Sequence, residues 1–254
     1  MDTVKAIAER TNYLNKDILY LKNTNITEYD IKSAGFTVIK YKKLLPEDEI
    51  AELEKCEKYE RNVRIGKRIL QYPKISEEII NTLTEVRKDF VVLNNIEADD
   101  ILTIKKDAIF LIKKIPSVLI IKGVFEFRPK ETYTSYVNLN SKEFYFSSLT
   151  NSMDVKGFPE ETKETQKEFF FKEIKKLLAV SEKVSSDSLF TLLKSFRSKY
   201  LNRQLNKEIY RDLGTSMFHI GDFQFENIED ELLKNVDISQ NYINYLLPFF
   251  KILL

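Results

Sequence analysis

The sequence predicts an α+β fold, on two observations. Alternating, β-branched stretches are concentrated before residue 150, and helix-spaced apolar stripes dominate from residue 160 onward. No Gly/Ser/Pro-rich linker separates the halves, so the domain boundary is drawn where the texture changes, near Gly157. Residues 3–22 carry Val4, Ile7, Ala8, Leu14, Ile18, Leu19 and Leu21, a helix or helix pair. Residues 26–30 alternate like a short strand that ends on Asp30. Pro46 followed by Glu47, Asp48 and Glu49 opens a helix, with acids where the helix dipole favours them. Ser76 caps another helix, carrying Ile79, Ile80, Leu83 and Val86. Residues 90–94 are β-branched and strand-like. Ile101–Lys113 reads as two strands joined by a tight turn at Lys105-Lys106. Further strands are expected near 118–127, 133–139 and 142–148. Residues 160–210 are helical, and a closing helix starts near Ser239.

Composition excludes several functions. There are 40 Lys+Arg against 39 Asp+Glu, with one His, one Cys and no Trp. One Cys forms no internal disulfide, and one His with one Cys makes no Cys/His zinc site. His219 sits in a short apolar stretch and reads as a buried or turn histidine; Cys56 lies among glutamates, which disfavour a thiolate. No stretch approaches a membrane span, and the N-terminus lacks a signal-peptide core, so a cytoplasmic protein is expected. Any enzyme chemistry must then rest on carboxylates, lysines or tyrosines.

Two carboxylates stand apart from the solvated majority. Asp30 ends a strand, and Asp107 sits at the tip of the 101–113 hairpin. Acids at neighbouring strand ends can hold a pair of divalent cations about 3.5–4 Å apart for in-line phosphoryl displacement. Hard oxygen ligands suit Mg²⁺ or Mn²⁺ and need neither His nor Cys. An isolated Asp in a hairpin is ordinarily a turn former, so the surrounding residues decide.

Asp30-Ile-Lys-Ser33-Ala-Gly-Phe36 resembles the first palm motif of family B DNA polymerases, Asp-x-x-Ser-Leu-Tyr-Pro. Lys58-Tyr-Glu-Arg-Asn62-Val-Arg-Ile-Gly66 is similar to the second, Lys-x-x-x-Asn-Ser-x-Tyr-Gly. Lys105-Lys106-Asp107-Ala-Ile-Phe110 resembles the third, Asp-Thr-Asp-Ser-Ile-Phe. Lys142-Glu-Phe-Tyr145 matches the Lys-x-Tyr element, and Lys156-Gly157 the step that ends the palm. The five elements occur in the family's order. The chain is also similar to small proteins of large tailed bacteriophages, which would place it in the host cytoplasm.

The resemblance implies a palm-like antiparallel sheet with helices over 1–158, minimal fingers at about 46–72, and a helical thumb-like region over 159–254. It makes Asp30 and Asp107 the catalytic and metal-binding carboxylates, with Mg²⁺ or Mn²⁺ as cofactor. Ser33, Lys58, Asn62 and Gly66 would bind nucleotide; Lys142, Tyr145, Lys156 and Gly157 would hold the primer strand. Arg61 and Arg64 are further phosphate ligands by charge and spacing alone. The sequence departs from the family at three places: Lys105 replaces the third motif's first acid, Gly35-Phe36 replaces Tyr-Pro, and only 28 positions separate Asp30 from Lys58.

Residues 163–211 hold twelve Lys/Arg and six Asp/Glu, and Lys175, Lys176 and Arg197 are nucleic-acid contacts on that helical surface. Amphipathic helices carry such charges as a solvated face equally often. Residues 221–237 carry six acids and one Lys, either an acidic loop or a shield for the basic face. Tyr136, Tyr145, Phe144 and Phe146 could stack on bases, yet alternating aromatics in a strand are more often core and cross-strand pairs.

Three readings stay open. The first is a DNA-polymerase-like protein that binds DNA or primer–template and performs limited nucleotidyl transfer. The second is a palm-derived binder without turnover, acting with a protein partner as a replication or transcription accessory or inhibiting a host nucleic-acid machine. The third is an α+β interaction protein whose acids and lysines are all surface. It predicts Asp30 and Asp107 far apart.

Overall fold

The computed structural model describes residues 2–139, 141–158, 170–210, 218–220, 223–225 and 246–254. The chain forms two compact units, residues 1–16 with 25–132 and residues 17–24 with 133–254. The class is α+β, with antiparallel sheets in both units.

The first unit holds helix α1 (Asp2–Ala8), strand β1 (Asn12–Leu14) and, after an excursion through β2 (Tyr20–Leu21) of the second unit, strand β3 (Ile26–Ile31). Four helices follow: α2 (Ala34–Lys42), α3 (Glu47–Lys55), α4 (Lys58–Gln71) and α5 (Lys74–Leu93). Then come β4 (Ile101–Lys105), β5 (Ala108–Ile112), β6 (Ile120–Ile121) and β7 (Phe125–Tyr133). The sheet order is β1-β4-β5-β3-β7-β6. The β4–β5 hairpin therefore lies beside β3, although four helices separate them in sequence.

One face of this sheet is apolar because β3 alternates and β5, Ala108–Ile112, is apolar throughout. Tyr29 and Ile31 of β3, and Ile109 and Leu111 of β5, join a core with Val38 of α2 and Leu83, Val86 and Phe90 of α5. Phe90 stacks on Phe127 of β7 with ring centroids 3.8 Å apart. The alternate residues, Glu28 and Asp30, take the opposite face.

The second unit contains β2, β8 (Ser135–Leu139), β9 (Lys142–Ser147) and β10 (Ser152–Lys156), in the order β10-β9-β8-β2. Helices α6 (Lys172–Ser181), α7 (Ser186–Leu201) and α8 (Leu247–Leu253) accompany it, with a short hairpin of β11 (Phe218–Ile220) and β12 (Phe223–Phe225) that includes His219. Val137, Phe144 and Phe146 share a core with Ile174, Leu178 and Phe249. That shared core explains why compactness divides the chain at Tyr133, not at the change of texture near Gly157. The strands at 135–156 pack with the helices that follow them.

Local expectations are met at 26–31, 101–112 and 142–147 and corrected elsewhere. Residues 90–93 end α5 rather than forming a strand, because Val86, Phe90 and Val91 are buried at helical spacing. Packing there overrides β-propensity. Residues 3–22 form one short helix followed by two strands, since Tyr13 and Leu14 pair with Ile104 and Thr103. The hairpin turn is Lys106-Asp107, with Lys105 paired to Ala108 as the last residue of β4. The expected helix start near Ser239 and residues 159–169 lie outside the described residues.

Candidate active site

Asp30 is fixed by its strand. It pairs with Ala108 across the antiparallel β3–β5 ladder, and Ala108 immediately follows Asp107. Directly paired residues stand about 4.5–5.5 Å apart at Cα. Asp107 occupies the second position of the two-residue turn, after Lys106 at a φ of 55°. A two-residue hairpin that follows the sheet twist requires such a positive φ. The fold thus brings the two acids together. The expectation that Asp30 and Asp107 lie far apart is not met.

The electrostatics agree. Burial raises the Asp107 carboxyl above its ordinary range, and the charge of Asp30 adds to that rise, against a backbone hydrogen bond and the charges of Lys106 and Lys130. Arg128 reaches Asp30 from β7, with Nη2 3.8 Å from Oδ1. Lys130 binds the buried Glu28 at 2.9 Å. Lys105 lies in the same cross-strand row as Asp30, with Ala108 between them. Residues in one such row share a sheet face, so Lys105 stands on the Asp30 side.

Among the described residues no group of three or more His, Cys, Asp or Glu could hold a metal. Two carboxylates still fit Mg²⁺ or Mn²⁺, which take one or two carboxylates together with substrate phosphates and water. Burial raises Asp107 most and the charge of Asp30 adds to it, a repulsion that a divalent cation between the two would relieve.

Ser33 opens α2 three residues after Asp30. It takes a left-handed conformation, makes no side-chain cap bond, and no acid occupies the first turn. The backbone N–H groups of that turn carry the positive end of the helix dipole, which suits phosphate oxygens. Helix α4 packs on α2 through Arg61, whose guanidinium lies 4.8 Å from the centre of the Phe36 ring. Phe36 is turned into a core with Ile39, Leu53 and Ile65. Lys58 and Asn62 lie on the exposed side of α4, and nothing lies within 4 Å of a Cβ built on Gly66. Arg64 is instead paired with Glu60 at 2.6 Å and Glu52 at 3.7 Å.

Residues 3–254 match the model of a family described as Bacteriophage PBS1 gene 130 protein. The chain belongs to that family. No curated protein matches it. This family member has, among its described residues, no helix long and apolar enough to cross a membrane.

In the second unit of this family member, Lys142 Nζ donates to the carbonyl of Gly157 and lies 5.1 Å from the centre of the Phe158 ring. Gly157 has a φ of 83°, and a Cβ there would meet Ser141 O at 2.4 Å, so glycine is required for the approach. Lys156 pairs with Asp154. Tyr145 is fully buried between Tyr133 and Tyr136 and donates its hydroxyl to Glu143 at 2.6 Å. Burial, with the charge of Glu143, pushes that phenol far above its ordinary pKa. Its ring and hydroxyl are thus committed within the unit. Lys175 donates to Asn151 O and Lys176 pairs with Glu173, while Arg197 lies exposed on α7.

Sequence reasoning missed Arg87 and Arg128. Arg128 sits on a strand whose charged residues alternate. Arg87 interrupts the apolar stripe Leu83, Val86, Phe90 of α5, the one sequence signal that marked it.

Proposed function

We propose that this phage protein is a reduced, polymerase-palm-like nucleic-acid-binding protein that carries out limited metal-dependent nucleotidyl transfer at Asp30 and Asp107. The observation that carries the reading is the pairing of Asp30 with the residue after Asp107, on strands separated by four helices in sequence. The sheet order adds support: β5 lies antiparallel between β3 and β4, the two strands that the four helices connect, as in a split β-α-β arrangement.

In this reading a primer 3′-hydroxyl attacks the α-phosphate of a nucleoside triphosphate. The P–O bond to the primer forms as the bond to the departing pyrophosphate breaks. Mg²⁺ or Mn²⁺ bound by the two carboxylates would activate the hydroxyl and neutralise charge on the pyrophosphate. Lys58 takes the triphosphate as a point charge. The first-turn N–H groups of α2, beyond Ser33, cradle phosphate oxygens. Asn62 follows Lys58 one helical turn along the same exposed face, and Gly66 permits close approach of the nucleotide. Lys142, Lys156 and Gly157 bind the primer strand, and Lys175, Lys176 and Arg197 add the salt-sensitive part of nucleic-acid affinity. Tyr145 is left out of the strand contact because it is buried.

The binding-only reading is favoured by one feature, the cations around so small a carboxylate set. Arg128 already lies 3.8 Å from the Asp30 carboxylate, and Lys105 shares its row. The two readings part on one assay. Protein, labelled primer–template, dNTPs and Mn²⁺ should yield extended primer above an Asp30→Ala/Asp107→Ala control. Equal signal from both proteins removes the enzyme. Salt-sensitive DNA binding without extension would then leave the binder.

A further inference from the structure

Arg87 is 1% exposed, yet among the described residues no carboxylate accepts a hydrogen bond from it. Its guanidinium is spent on backbone carbonyls. Nε donates to Ala8 O at 3.0 Å, Nη2 to Arg10 O at 2.9 Å, and Nη1 to the carbonyl of Lys106. A weaker contact runs to Thr84 Oγ1 on its own helix at 3.4 Å. Two of the carbonyls belong to the end of α1 and the segment after it. The third belongs to the turn that carries Asp107. One buried fork therefore ties α5 and the exit of α1 to the hairpin tip.

The grip on Lys106 falls where the backbone needs it. Lys106 adopts a φ of 55° without being glycine, a conformation that costs about 1 kcal/mol or more for an ordinary residue. Its carbonyl lies in the peptide that links it to Asp107, so holding that oxygen fixes the direction in which the Asp107 side chain leaves the turn. Arg87 also places a buried positive charge near the Asp107 carboxylate, and the two interact electrostatically. Burial lowers the pKa of Arg87 to about 10, which leaves it cationic at neutral pH.

We propose that Arg87 is the positioning residue of the Asp30/Asp107 site: through the Lys106 carbonyl it holds the Asp107 carboxylate where a divalent cation shared with Asp30 can reach it. The proposal deepens the metal-site reading and rests on it for its functional consequence. The hold on the turn itself is independent of that reading.

The test uses the full chain with two substitutions at this position and one control. Arg87→Met keeps the aliphatic volume and removes fork and charge. Arg87→Lys keeps charge and one donor. Val86→Ala, a neighbouring core truncation away from the turn, supplies destabilisation without loss of the grip. Amide hydrogen exchange at Asp107 and Ala108 is compared with exchange at Ile109 and Leu111. Mn²⁺ alone is titrated by electron paramagnetic resonance.

Arg87→Met should speed exchange at the turn at least tenfold over the strand positions and weaken Mn²⁺ about tenfold. Arg87→Lys should recover much of both, and Val86→Ala should change neither in the folded protein. Turn exchange that tracks the strand in Arg87→Met, or that is matched by Val86→Ala, overturns the proposal and reduces Arg87 to a structural cap. If the wild type binds no Mn²⁺, the metal reading fails, and the exchange comparison still decides whether Arg87 holds the turn. If Arg87→Met does not fold, Arg87→Lys alone decides: with the fork reduced to one donor, exchange at the turn should stay a few-fold above the strand positions, and turn exchange that tracks the strand overturns the proposal.

Discussion

Asp30 and Ala108 are partners across the β3–β5 ladder, so the turn residue Asp107 is carried to within electrostatic reach of Asp30. The cost of that closeness falls on Asp107. Its carboxyl is raised by burial first and by Asp30 next, against its backbone hydrogen bond, Lys106 and Lys130. The folded state holds this proton more tightly than the unfolded chain, whose value is 3.8. The stability it contributes is complete below that value and is lost as pH rises through the raised folded value. Asp107→Asn should therefore melt above the wild type at neutral pH, with the gap closing as the pH is lowered past about 4. Thermal unfolding across that range checks the sign. A gap that persists in acid would mean the substitution acts through packing. The same variant should lose Mn²⁺ binding, a stability gain set against function.

Gly66 separates stability from binding in a similar way. It is a helix-interior glycine on α4, and an added Cβ meets nothing within 4 Å. Gly66→Ala should raise stability by about 0.5–1 kcal/mol, the usual backbone-entropy gain in a helix. If the nucleotide approaches this face, the same methyl group should weaken a fluorescent nucleotide triphosphate several-fold. A stabilised variant with unchanged affinity would remove Gly66 from the nucleotide contact. Lys58→Ala and Asn62→Ala, both on exposed positions, should weaken the same ligand without shifting the melting temperature.

These residues also show what the sequence could and could not convey. The 101–112 hairpin was legible because two β-branched runs flank a polar tip, although the turn lies one residue later than composition suggested. The neighbourhood of Asp30 and Asp107 was legible only through motif order, since no local pattern says which strand a hairpin will join. Residues 90–93 misled because Phe-Val-Val-Leu favours strands in isolation, whereas burial against the sheet keeps them in α5. Tyr145 sets motif against packing: the motif implied a strand contact, and the ring is packed between two tyrosines, which the sequence did not convey. Arg87 was hidden because its partners are backbone carbonyls, which leave no trace in side-chain identity.

Gly157 offers a test of the second unit. Its φ is 83°, and a Cβ there would sit 2.4 Å from the Ser141 carbonyl oxygen. Gly157→Ala should cost about 1–3 kcal/mol, the range for a strained left-handed residue. At a chain of this size that corresponds to a drop in melting temperature of about 2–4 °C per kcal/mol. Because Lys142 donates to the Gly157 carbonyl, the variant should also weaken DNA binding if Lys142 belongs to the strand contact. A melting temperature equal to wild type would show that the turn opens without penalty.

Tyr145 decides between motif and burial. Its hydroxyl donates to Glu143, and both residues are fully buried. Tyr145→Phe preserves the ring packing and removes one donor from a buried carboxylate, a loss of about 1–3 kcal/mol. The melting temperature should fall accordingly. DNA affinity and its salt slope should stay at wild-type values, because neither the ring nor the hydroxyl is available to a strand in this fold. Fluorescence anisotropy with a labelled primer–template measures both quantities. A variant that keeps its melting temperature but loses DNA affinity would return Tyr145 to the primer contact and require the buried cluster to open when nucleic acid binds.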